Sequence, residues 1–190
     1  MNQGDASQFG EGLLYEDSLP IRWREAGREL STAQIVRTHQ ANERVLRSLA
    51  ALDEYRAEGG DEEHAHVAHD LSRLDFKLNL LLDMVSRLLV EHVAMPAAVP
   101  VKMSAGAIRW RSAAAPPVGS LLGIDLYLNP AYPSPITLYG EVRQVLPVEG
   151  GYQVDAHYRD MSDAMRGWLE KLIFRHHRRQ VAHSRQQGRV

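Results

Sequence analysis

Val67, Leu71, Leu74, Leu78, Leu81, Val85 and Leu88 follow one another at alternating steps of four and three. No other feature of the chain restricts its fold as strongly. The spacing is the a/d repeat of a coiled coil, held over three heptads. At ~1.5 Å per residue it makes a seam about 32 Å long, comparable with the diameter of a small domain. Asp61, Glu62 and Glu63 place negative charge in the first turn, where the helix dipole favours it, and Pro96 closes the helix. Before it, Ser31 stands at an N-cap position and a helical pattern runs to about Ala57, where Gly59 and Gly60 break it. The two helices predict a hairpin over 31–95.

Helix one repeats the spacing more weakly through Ile35, Thr38, Asn42, Val45, Leu49 and Leu52. An amide at an a position pairs best with another amide, so Asn42 is expected to set the register between copies. Simple packing of the two helices within one chain is the plainer alternative. Against it, Phe76, Leu80, Leu82, Met84 and Leu89 lie off the seam and make helix two apolar over most of its circumference. One partner helix cannot cover that surface. Self-association through Asn42, Val45, Leu49 and the helix-two seam is therefore expected, with four chains favoured over two.

Composition narrows the classes further. With 44% hydrophobic and 24% charged residues the chain resembles an ordinary globular protein. Its most apolar stretch, Leu78 to Val90, is interrupted by Asn79, Asp83 and Arg87, and the first residues hold no basic patch followed by an apolar run. Neither a membrane span nor a signal peptide is expected. The absence of cysteine excludes disulfides, thiolate metal sites and a thiol nucleophile, and fits a cytoplasmic protein. Charge is distributed unevenly: the total is −2, but Lys171 to Val190 holds six Lys or Arg and no acid, so the first 170 residues carry −8.

After the hairpin the period changes from helical to strand-like. Val99–Met103, Ala107–Arg111, Leu121–Leu128, Ile136–Leu146 and Tyr152–Tyr158 read as strands separated by Pro116-Pro117, Asn129-Pro130 and Gly150-Gly151, with Leu19–Arg24 as a further strand before the hairpin. Short strands so spaced predict a small antiparallel barrel. A closing helix is expected from Ser162 to about His183, with Met165, Trp168, Leu169, Leu172 and Ile173 on its apolar face and Phe174 also serving the core. The fold class is α+β, with an N-terminal arm and first strand in 1–30, the hairpin in 31–95 and the barrel with its helix in 96–190.

Lys102-Met103-Ser104-Ala105-Gly106-Ala107-Ile108-Arg109-Trp110 resembles the second signature of PilZ domains, in which Asn or Asp, any residue, Ser, two more residues and Gly precede an apolar-basic-aromatic strand. Gly140-Glu141-Val142-Arg143-Gln144-Val145 and Gly150-Gly151-Tyr152-Gln153-Val154 resemble the later strands of the same family. The resemblance implies a six-stranded barrel from a family whose members bind the bacterial second messenger cyclic diguanylate. It also makes the hairpin an insertion after the first strand.

Two departures bear on the ligand. The family's arginine loop before the first strand has no counterpart, because Gly12 to Ser18 is acidic at Glu16-Asp17. In the second signature Ser104 is kept, but Lys102 replaces the acceptor Asn or Asp and Ala107 replaces the final glycine. A lysine cannot accept a hydrogen bond, and alanine resists a positive φ. Guanidinium forks supply bidentate phosphate contacts and guanine stacking, so their loss predicts no tight cyclic diguanylate binding. Lys102, Ser104, Ala107 and Arg109 are the degenerate ligand positions.

Other constellations are weaker. His64, His66 and His69 beside Asp70 invite a metal reading, yet His64 points away from the face that His66 and Asp70 share. Exposed polar positions are expected there and no metal site. The basic run Arg175-His176-His177-Arg178-Arg179 could grip nucleic acid or an acidic partner, but helix C-termini favour cations anyway and no stacking platform accompanies it. Nucleic acid is disfavoured. There is no phosphate loop, nucleophile elbow or matched carboxylate pair, and no catalytic residue is proposed. The chain reads as a non-enzymatic, oligomeric adaptor in cyclic diguanylate-linked control of pili, motility or virulence, acting on an unidentified signalling or pilus-related protein. The alternative is a cyclic diguanylate receptor with a divergent pocket.

Overall fold

A computed structural model of the chain describes residues 13–27, 29–55, 78, 95–129 and 134–187. Six strands, β1 (Tyr15–Glu25), β2 (Ala98–Met103), β3 (Ala107–Ser112), β4 (Leu121–Leu126), β5 (Ile136–Val148) and β6 (Gly151–Tyr158), close into an antiparallel barrel in the order β1-β2-β3-β6-β5-β4. Helix α1 (Thr32–Tyr55) lies between β1 and β2 in the chain, and α2 (Asp163–Gln187) follows β6. The barrel, the first helix after β1 and the closing helix all match expectation. The second hairpin helix falls outside the described residues except at Leu78, which is helical and 58% exposed. Val67, Leu71, Leu74, Leu81, Val85 and Leu88 are likewise outside them, as are His64, His66, His69 and Asp70.

Period-two alternation points one side chain in two into the barrel. Leu19 and Ile21, Val101 and Met103, Ile108 and Trp110, Leu122, Ile124 and Leu126, Ile136, Leu138 and Val142, and Val154 and Ala156 form one core. Closure depends on β1 serving two neighbours. Tyr15 to Pro20 pair with β2, and Ile21 to Glu25 pair with β4. Pro20, which has no N–H to give a ladder, stands at the handover, and its carbonyl accepts from Tyr127 N at 3.1 Å. Across the β5–β6 hairpin Gly150 adopts φ 78°. At Gly151, φ 151°, a Cβ would lie 2.5 Å from the Ser112 carbonyl oxygen, so only glycine fits.

β1 begins four residues before the expected Leu19. Tyr15, Glu16 and Asp17 belong to the barrel and not to a free arm, because the closing helix holds them. The Tyr15 ring lies 3.9 Å from that of His176, centroid to centroid, and the Glu16 carbonyl accepts from Gln180 Nε2 at 3.2 Å. Burial, with Asp17 alongside, pushes the Tyr15 hydroxyl above its ordinary pKa. Ser31 Oγ, at the N-cap position read from the sequence, accepts from Gln34 N, and Ser162 Oγ caps the closing helix by accepting from Met165 N, each at 3.2 Å. Met165, Leu169 and Ile173 of α2 are buried in the barrel core, a gross apolar stabilisation of roughly 5–9 kcal/mol before ordering entropy. Phe174, expected in the core, is 50% exposed.

Helix α1 corrects a second expectation. Asn42 is only 2% exposed within the single chain, and Val45 and Leu46 are buried in the barrel's core with Leu49 packed against it. Asn42 Nδ2 donates to the Thr137 carbonyl at 2.7 Å, and Thr137 N donates to Asn42 Oδ1 at 2.8 Å. β6 ends at Tyr158, opposite Gly140, so β5 runs on past its neighbour and leaves Thr137 a free backbone edge. Buried backbone groups need partners. The Asn42 amide supplies both, so it sets the seat of α1 on its own barrel and is not free to pair with an amide of another copy. Thr38 Oγ1 to Tyr139 OH at 3.2 Å strengthens the same seat.

Candidate ligand face

Register places four charged residues in one row across four strands. Glu16 of β1 faces Lys102 of β2, Lys102 faces Arg109 of β3, and Arg109 faces Asp155 of β6. Directly opposed residues share a face of the sheet, so Lys102 and Arg109 meet as like charges, an unfavourable pairing by itself. The flanking carboxylates offset it. Lys102 Nζ is 3.1 Å from Glu16 Oε1. Arg109 grips Asp155 with both ends of its fork, Nε to Oδ1 at 2.7 Å and an Nη to Oδ2 at 2.8 Å.

The two pairs differ in kind. Glu16 is well exposed, so its bridge is screened and contributes little. The Asp155 side chain is 7% and that of Arg109 17% exposed, so each needs the other's charge. Glu16, Lys102 and Arg109 of this row line a shallow groove of about 500 Å³ together with Asp17, Ser18, Arg111 and Gln153.

Ser104 sits beside this groove but is buried, and its oxygen is occupied. Oγ accepts from the backbone N of Gly106 and of Ala107, both at 3.2 Å, while Ser104 N donates to the Ala107 carbonyl at 2.9 Å. It organises the β2–β3 turn, which Arg166 of α2 also holds through the Ala105 carbonyl at 3.0 Å. Ala107 is a regular strand residue opposite His157. Asp160 is the one non-glycine with positive φ among the described residues, so the turn does not require glycine at 107. Replacing Ser104 by alanine is expected to lower stability by about 1–2 kcal/mol, read from chemical denaturation, through the two amides that lose their acceptor. No change would show that water replaces the hydroxyl.

Of the residues singled out in the sequence, Lys102, Ser104 and Arg109 are brought together and Ala107 adjoins them. Asp155 and Glu16 were missed as their partners. Asp155 carried a faint signal, a lone acid within the alternating Val154-Asp155-Ala156 strand, but β3 and β6 are not consecutive and their register is not readable from spacing. The described residues hold no cluster of three or more metal-capable side chains and no helix long and apolar enough to cross a membrane.

Trp110 Nε1 and Tyr158 OH are buried without a hydrogen-bond partner, and burial pushes the Tyr158 hydroxyl far above its ordinary pKa.

Among solved structures, the chain is similar to a pathogenic protein from Xanthomonas campestris, a tetrameric PilZ domain self-assembled through an unusual helical bundle. The two are 26% identical, with a TM-score of 0.77 over 94% of this chain and 95% of that one. The Bacillus subtilis inhibitor of motility overlaps 45% of this chain and 42% of its own at 18% identity, with a TM-score of 0.36, too low to bear on function. No curated protein matches. The family described as "Atypical PilZ domain, cyclic di-GMP receptor" matches residues 46–186, from Leu46 within α1 almost to the end of α2. The barrel, its order of strands and the β2–β3 signature agree with that match, and the chain belongs to the atypical PilZ domain family.

Proposed function

We propose that this protein is a self-associating, non-enzymatic adaptor in cyclic diguanylate-linked signalling in the cytoplasm, and that its own ligand face does not bind the nucleotide tightly. The observation that carries this reading is the self-neutralised row: Lys102 is paired with Glu16 and Arg109 with Asp155. A phosphate reaching either cation must displace a carboxylate of the chain itself. Residues 1–14, ahead of β1, contain no arginine, and Glu16 and Asp17 at the start of that strand carry charge that repels a dianionic ligand.

Calorimetry with cyclic diguanylate is expected to show no saturable heat at micromolar protein. Micromolar binding that disappears with Ser104→Ala or Arg109→Ala would instead establish the second reading, a receptor with a divergent pocket. That alternative has the groove and the family's description in its favour.

Self-association is supported by the heptad seam and by likeness over nearly the whole chain to a relative that is tetrameric. Asn42, Val45 and Leu49 are spent on the barrel, so assembly in this reading falls to helix two. Leu78, helical and exposed in the single chain, samples that seam. Light scattering is expected to give a tetramer for the intact protein, and Leu78→Asp to dissociate it, because a carboxylate would be buried at every copy of the contact. A monomer at micromolar concentration would sink the claim.

A further inference from the structure

The adaptor reading needs a surface that meets another protein, and the side of α2 that carries the exposed Lys171, Phe174 and Arg178 offers one. Trp168, Lys171, Phe174 and Arg178 follow at steps of three, three and four, which places them along one side of the helix. Trp168 packs partly against the core, whereas Lys171, Phe174 and Arg178 are exposed. Lys171 Nζ stands 5.1 Å from the Trp168 ring centre, and the Arg178 guanidinium carbon 5.9 Å from that of Phe174.

Aromatic ring and cation therefore alternate along the helix, each cation held over a ring. Glu170 marks the limit of this charge, since no acid occurs from Lys171 to Val190. Dipole stabilisation of cations is confined to a helix's last turn, and Lys171 lies well before Gln187.

We propose that this Trp168–Lys171–Phe174–Arg178 face docks an acidic segment of a partner protein, whose carboxylates meet Lys171 and Arg178 and whose aliphatic side chain covers Phe174. The inference rests on the adaptor reading for its biological sense. The chemistry favours a protein over a nucleic acid. Bases bind single-stranded sites by stacking on open aromatic faces. Here the Trp168 ring has a lysine over it and is partly in the core, and Phe174 has an arginine over it. Two fixed cations with an exposed apolar side chain between them suit carboxylates separated by a leucine or isoleucine.

The test uses the full chain and fluorescence anisotropy with three labelled probes: a short peptide repeating Glu-Glu-Leu-Glu, the same peptide with serine for leucine, and an oligothymidylate of equal length. The leucine peptide is expected to bind about tenfold more tightly than the serine peptide. Phe174→Ala should remove that difference while leaving the serine peptide unchanged. Lys171→Glu combined with Arg178→Glu should abolish both, with circular dichroism confirming the fold.

Equal or tighter binding of oligothymidylate, no binding of the leucine peptide, or indifference to Phe174→Ala would each overturn the proposal. Tight cyclic diguanylate binding by calorimetry would remove the adaptor reading and leave these titrations standing, so the two failures are distinguishable.

Discussion

Arg109→Ala is expected to destabilise the protein by about 3–5 kcal/mol, measured by chemical denaturation. Asp155 is 5% exposed and its two oxygens are both held by the Arg109 fork. Removing the arginine strands a buried carboxylate in the barrel wall, where water cannot solvate it fully. The cost belongs to the abandoned charge and not to the net worth of the pair. Replacing both residues, Arg109→Leu with Asp155→Leu, is therefore expected to recover most of the loss, since no buried charge remains. A single variant within 1 kcal/mol of the parent, or a double variant worse than either single one, would mean that the wall is wetter than the burial implies. The same cycle bears on function: if Arg109 is spent on Asp155, the single variant alters stability without altering a nucleotide titration.

Asn42→Asp is expected to be the second severe change, worse than Asn42→Ala. Alanine leaves the half-buried Thr137 N–H and C=O without their Asn42 partner, at about 2–4 kcal/mol for the two together. Aspartate can still accept from Thr137 N, but it cannot donate to the Thr137 carbonyl, and it sets a negative charge against that oxygen at a position 2% exposed. Thermal melts of the three proteins give the order Asn, Ala, Asp. Tolerance of aspartate would show that the clasp is not made in solution. The experiment also separates two roles for this residue. A register amide between copies, changed to leucine, shifts the number of chains while the subunit stays stable; a clasp within the subunit, changed in the same way, lowers the melting temperature and leaves the assembly of the folded fraction as it was.

Asn42 also shows where reading along the chain reaches its limit. Its place on the helix-one stripe with Val45 and Leu49 was legible, because a period near 3.6 identifies a buried face. What that face is buried against was not, because a stripe of apolar residues with one amide suits a second helix and a frayed strand edge equally well. The deciding fact is that β5 outruns β6 and leaves Thr137, paired with Asp125 of β4 on one side, without a strand partner on the other; strand lengths relative to neighbours are properties of the closed barrel. Phe174 failed in the opposite sense. It adjoins Ile173, a core residue, and one position along a helix turns a side chain by about 100°. Tyr15 to Asp17 were missed because two acids in a row, with Asp17 exposed, conceal the start of a strand in which Tyr15 and Leu19 are buried. His176 and Gln180 hold that segment from 160 residues away.

By itself the sequence determined the element types and most of their bounds, the Ser31 cap, the glycine pair of the last hairpin and the β2–β3 signature. These rest on interactions within a few residues, where side-chain period and turn chemistry act directly. Only the tertiary structure decided that Lys102 and Arg109 are neutralised by Glu16 and Asp155, that Ser104 serves the turn, and that Asn42 faces its own barrel. Each depends on register between strands distant in the chain. A shift of one residue would move every side chain to the other face, and the register is set by the packing of the whole core.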